Sequence, residues 1–131
     1  MAAICTSFAG LQIALAAGAP FGEHVWGGSQ PRVPSNGIRF VAAGATVVLL
    51  GMATVVVPRA GLIGRPSRWL APATWTIAIY FAINTAGNLA SSSGVERYAF
   101  GPATAVVAAL TAVVARSSPR PLARRTVPVS T

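Results

Sequence analysis

Residues 69–90 read WLAPATWTIAIYFAINTAGNLA, a run without one formal charge. A helix needs about 20 residues to cross a 30 Å hydrocarbon core, and a charge at its centre costs about 2.5–3.5 kcal/mol on insertion scales. The stretch meets both conditions. It also carries an internal pattern. Thr76, Tyr80, Asn84 and Asn88 recur every four residues and share one stripe of a helix, while Ala78, Ala82, Ala86 and Ala90 form a second stripe nearly opposite. Neither edge suits lipid contact. Both suit helix–helix packing, because small residues let backbones approach and amides bond across helices. This helix is therefore expected to be the most enclosed of its bundle.

Three further blocks of the same kind surround it, at residues 2–19, 40–57 and 98–115, each about as long as a membrane span and free of charge. Pro20 and Pro58 follow the first two and are expected to end them. Pro72 and Pro102 fall in the first turns of the last two, where a missing N–H is harmless. The connections are polar, glycine-rich or basic. Residues 1–116 thus predict an all-α, integral membrane four-helix bundle. Residues 117–131, rich in Pro, Arg, Ser and Thr, have too little apolar surface to fold and predict a disordered tail.

Only 9% of the 131 residues are charged and mean hydropathy is +0.62, whereas a soluble domain carries about 25% charged residues. The net charge is +8, every basic residue is Arg, and the acids are Glu23 and Glu96 alone. The arginines lie between the apolar blocks, which points to membrane topology rather than nucleic-acid binding. Arg59, Arg65 and Arg68 in one loop and Arg116, Arg120, Arg124 and Arg125 in the tail oppose Arg32, Arg39 and Arg97 in the other two loops. The positive-inside rule then places both termini in the cytoplasm of a multi-pass cell-membrane protein. The four tail arginines are also expected to meet anionic lipid head groups. Phe21, Trp26, Tyr98 and Phe100 suit interfacial anchors outside, and Trp69 inside. Ala14-Leu15-Ala16 and Ala17-Gly18-Ala19 look like signal-peptide cleavage sites, but no Lys or Arg precedes that apolar run, and cleavage would set the basic tail opposite the basic loop. Cys5, the single cysteine, excludes an internal disulfide and dithiol exchange.

Polar residues collect toward the outer half. Gln12, Tyr80, Asn84 and Asn88 in the spans, with Glu23, His24 and Glu96 in the loops, define a candidate polar crevice opening outward. Glu23 and His24 there could hold protons, a head group or a metal. The plainer expectation makes Asn84 and Asn88 packing glue, worth about 0.6–2 kcal/mol per bond. It pairs Glu23 with Arg32 or Arg39 and Glu96 locally, and leaves His24 solvated. One His, one Cys and two Glu give no metal-ligand spacing, and no Ser–His–acid set or phosphate loop is present. No catalytic residue, metal or cofactor is assigned.

The segments Gly18-Ala19-Pro20-Phe21-Gly22-Glu23, with Trp26-Gly27-Gly28, and Asn84-Thr85-Ala86-Gly87-Asn88-Leu89-Ala90-Ser91, with Glu96 and Gly101-Pro102, resemble motifs of a family of small bacterial four-span membrane proteins. The resemblance covers residues 10–115. It implies four spans, brings no activity, and marks Glu23, Trp26, Asn84, Asn88 and Glu96 as family-like positions, with Phe21 where a Trp is usual. Small multidrug transporters resemble a pattern with an acid inside the first span, where this chain has only Gln12. Four-helix thiol oxidoreductases need paired cysteines. Three classes remain. A structural or accessory component packing on a membrane partner or a second copy demands least. A small transporter or lipid-binding protein would use the crevice. A membrane enzyme would use Glu23 and His24 as acid and base, within hydrogen-bond reach of each other or of Glu96.

Overall fold

The computed structural model describes residues 2–63 and 67–117. The expected tail, except Ser117, lies outside the described residues, with Arg120, Arg124 and Arg125, as does Arg65 in the loop. All regular structure among the described residues is helical: α1 (Ala2–Ala16), α2 (Asn36–Arg59), α3 (Ala71–Ala90) and α4 (Gly101–Arg116), with short 3₁₀ turns between them. α3 packs chiefly on α4 and α1 on α2, and contact between the two pairs is sparser. Two segments, Asn36–Arg59 and Glu96–Arg116, are long and apolar enough to cross a membrane; the apolar helix Ile4–Ala16 is shorter.

Helix ends are set by glycines more than by prolines. α1 stops before its apolar block does. Gly18 adopts φ 91°, Ala19 N–H donates to Ala14 O and Gly18 N–H to Leu15 O, both at 2.9 Å. That pair of bonds is a Schellman motif, which satisfies the orphan carbonyls of the last turn. α2 ends the same way, with Gly61 at φ 72°, Leu62 N–H on Val57 O (3.2 Å) and Gly61 N–H on Pro58 O (3.0 Å). Pro58 therefore lies inside the last turn of α2 instead of stopping it. One lost N–H there removes a single bond from a helix about to end. α2 also begins earlier than its apolar block, capped by Ser35, whose Oγ accepts from Ile38 N–H at 3.5 Å. Before α4 the chain is already coiled, as a π-helical turn over Glu96–Phe100. Pro102, which has no N–H to give, follows one residue later.

Two apolar clusters hold the helices. Val56, Ile77, Phe81 and Val107 form one, toward the Arg59 end. Leu15, Val25 and Ala42 form the other, with Leu11 and Phe100 against it. The enclosed helix is α4 and not α3. α4 buries Gly101, Thr104, Val107, Thr111 and Ala115, an i, i+3, i+4 stripe of small and β-branched side chains, across its whole length. α3 buries Thr74, Ile77, Ala78 and Phe81 and nothing beyond Phe81, and Ala82, Ala86 and Ala90 are exposed. In α2, 11% of the most apolar window is buried, and Phe40, Val47, Val48 and Leu50 face outward.

Candidate functional site: a polar cavity under the Trp26–Gly28 loop

Between α1 and α2 the chain makes two 3₁₀ turns, Gly22–His24 and Trp26–Gly28. Three successive residues are left-handed: Trp26 at φ 60°, Gly27 at 80° and Gly28 at 73°. For a tryptophan this conformation costs about 1–2 kcal/mol, so the surroundings must impose it. They do so through the Ser91–Glu96 turn. Gly27 N–H donates to the Glu96 carboxylate at 2.9 Å. The Ser92 hydroxyl donates to Gly27 O at 2.6 Å, and that of Ser93 to His24 O at 3.1 Å.

The same turn builds the carboxylate's position. Ser93-Gly94-Val95-Glu96 has the Ser-x-x-Glu spacing of a capping box, and Ser93 Oγ accepts Glu96 N–H at 3.5 Å. The reciprocal half is rerouted. Ser93 N–H donates to Ser91 Oγ at 3.0 Å, and the Ser91 hydroxyl donates to the Glu96 carboxylate. Glu96 is therefore released from its own cap and turned inward. It is 7% exposed and, among the described residues, has no ion-pair partner. The expectation of a loop acid with a local partner holds for Ser91, but the larger fact is burial and a bond to a loop 69 residues away.

A cavity of about 280 Å³ opens beside this carboxylate. Its polar walls are Gln12, Tyr80, Asn84, Asn88 and Glu96, and its aromatic walls are Phe8, Trp26 and Phe100 together with Tyr80. Phe8 and Phe100 meet edge to face with ring centroids 5.3 Å apart. Gln12 Oε1 is buried with no hydrogen-bond partner among the described residues. Of the seven crevice residues expected from the sequence, five share this cavity. Glu23 and His24 do not line it. They sit on the loop, each about half exposed, with His24 Nε2 3.6 Å from Glu23 Oε1, beyond hydrogen-bond length. Arg39, expected opposite Glu23, instead donates Nε–H to Ala16 O at 2.9 Å and so finishes the end of α1.

Behind the cavity the amides join a network between α3 and α4. Asn88 Nδ2 donates to Asn84 Oδ1 at 3.1 Å and to Thr104 Oγ1 at 3.4 Å. Thr104 is 2% exposed, lies 3.0 Å from Thr85 Oγ1, and donates to Phe100 O at 2.8 Å. Sequence reasoning passed over Thr104 and left Ser91 out of the crevice. The buried spacing Thr104, Val107, Thr111 and the Ser-x-x-Glu box were the signals that could have marked them. Thr104→Val keeps the shape and removes the hydroxyl on which Asn88 and Thr85 converge. It is expected to lower stability by about 1–2 kcal/mol, read as the midpoint of a denaturant titration in detergent, with Thr104→Ser near the native value. No family model, curated protein or solved structure matches the chain.

Proposed function

We propose that the chain is a cell-membrane protein of four spanning helices, with both termini cytoplasmic, that receives a polar group of a ligand in the Glu96 cavity from the outer face, as a small transporter or lipid-binding protein would. Support for insertion comes from α2. It is among the most apolar segments of the chain, yet only 11% of its apolar window is buried, and Phe40, Val47, Val48 and Leu50 are exposed. In water that surface would be an aggregation hazard, whereas in lipid it is at home. Arginines at 59, 68 and 116 gather at one end, and the polar cavity lies at the other.

The ligand reading is carried by one observation, the buried Glu96 carboxylate with no cation beside it among the described residues, in the wall of a cavity it shares with Gln12. Burying a charge without a partner of opposite sign is costly, and a ligand group that supplied one would relieve that cost. The scaffold reading draws on Asn88, which spends both amide hydrogens inside the protein.

Cysteine accessibility separates the two. In a Cys5→Ser background, Asn84→Cys, Asn88→Cys and Gln12→Cys are each treated in intact cells with a membrane-impermeant thiol reagent. Labelling of Gln12→Cys and Asn84→Cys is expected. Silence at all three, with Ser92→Cys labelled as the control, would leave the amides as packing groups and return the scaffold reading.

A further inference from the structure

The walls of the cavity also select a class of ligand. Among the described residues lining it, the one formal charge is the Glu96 carboxylate, which accepts from Gly27 N–H and the Ser91 hydroxyl, and the other polar walls, Gln12, Tyr80, Asn84 and Asn88, are neutral. No basic side chain lines it among the described residues, so an anion would meet a like charge and nothing to offset it. A hard metal ion is equally ill served. It wants six or more oxygen ligands, and no group of three His, Cys, Asp or Glu occurs among the described residues. What surrounds the carboxylate instead is aromatic: Phe8, Trp26, Tyr80 and Phe100. A carboxylate among aromatic rings is the setting in which organic ammonium ions are held, by charge and by the ring quadrupoles.

A second hollow, of about 450 Å³, runs between α1 and the start of α4, lined by Ile4, Ala99 and Ala103 and by Phe8, Leu11 and Phe100, which also wall the cavity. Its lining is almost wholly apolar, with Ser7 the exception. From Ile4 to Leu11 it follows α1 for roughly 10 Å.

We infer that the cavity takes the ammonium group of a lipophilic organic cation, against Glu96 and the aromatic walls, with the apolar body of the same molecule in the groove along α1 and α4. This rests on the cavity being open to ligand, as proposed above.

The test uses the full chain in a neutral maltoside detergent, with Trp69→Phe and Trp75→Phe so that Trp26 alone reports. Benzyltrimethylammonium is titrated against Trp26 emission, with benzyl alcohol as the neutral comparison. Saturable quenching by the cation is expected, weakened at least about tenfold by Glu96→Gln. Tyr80→Phe keeps the ring and is expected to keep affinity; Tyr80→Leu is expected to lose roughly three- to tenfold. If Glu96→Gln does not elute as folded protein, the Tyr80 pair decides. No saturable response, equal response to benzyl alcohol, or equal affinity of the two Tyr80 variants would overturn the inference. A flat titration with Gln12→Cys and Asn84→Cys labelled rejects the cation alone. Silent cysteines reject the open cavity as well.

Discussion

Gly22→Ala is expected to destabilise the protein by about 3 kcal/mol or more, since an added Cβ there meets its surroundings at shorter range than at any other described glycine. A Cβ at this position would stand 2.1 Å from Pro31 O and 3.2 Å from Arg32 O. Both are backbone atoms, so no rotamer change relieves the contact, and the whole 22–32 loop must move. Overpacking of this kind costs about 1–3 kcal/mol when side chains can yield. Here the shift also breaks the bond from Gly22 N–H to Arg32 O, 3.0 Å long, worth about 0.5–1.5 kcal/mol more. Gly44→Ala is the control. Nothing lies within 4 Å of its added Cβ, and alanine in a helix interior gains about 0.5–1 kcal/mol over glycine. A denaturant titration in detergent, followed by far-ultraviolet circular dichroism, should show the two midpoints moving in opposite directions. A Gly22→Ala midpoint equal to native would mean that the loop yields freely.

Arg59→Ala is expected to cost about 2–4 kcal/mol, from the other end of the molecule. Arg59 is 5% exposed and closes three chain ends at once. Its guanidinium donates to Ala115 O in the last turn of α4 at 3.2 Å, to Ser117 O just past that helix at 2.5 Å, and to Ser67 O at 3.5 Å. Charge-assisted bonds to carbonyls at a helix C-terminus, where the dipole also favours a cation, contribute about 1.5–3 kcal/mol each when buried. Arg59→Lys keeps the charge but not the fork, and is expected to restore about half of the loss. The same titration checks both. Under the proposed topology, the arginines remaining on that side hold the orientation, so impermeant labelling of Ser92→Cys should not change. A midpoint loss below about 0.5 kcal/mol would reduce Arg59 to a topology signal.

The helices were legible because charge is absent from four runs of the right length. Their ends were less so. Apolar alanines such as Ala17 and Ala19 look alike inside a helix and just past it, and it is the φ of Gly18 and Gly61 that stops α1 and α2. Proline was the misleading cue at Pro58. The four-residue stripe on α3 was half right for a geometric reason. Each step of four residues overshoots a full turn by about 40°. Tyr80, Asn84 and Asn88 therefore reach one cavity while Thr76 is exposed, and Ala78 is buried while Ala90 is exposed. Which helix is enclosed depends on what its neighbours cover, and no single helix states that. Glu96 read as a loop acid because charge was taken to mark the loop. The Ser-x-x-Glu box already said that helix begins before it.

The bonds that join the two helix pairs have an order in time. Neighbouring helices form α1–α2 and α3–α4, so each pair can close as soon as its own residues have been synthesised. The ties between distant segments are of another kind. Gly27 to Glu96 spans 69 residues, Arg59 to Ala115 spans 56, and Arg59 to Ser117 spans 58. Until the Ser91–Glu96 turn emerges, Trp26 has nothing to hold it left-handed, and until α4 is complete Arg59 has only Ser67 O to clasp. The first hairpin must wait, with its loop slack and one arginine unsatisfied, for the second to arrive. A nascent chain of this design is most exposed to quality control in that interval, and α4 is the element whose arrival ends it.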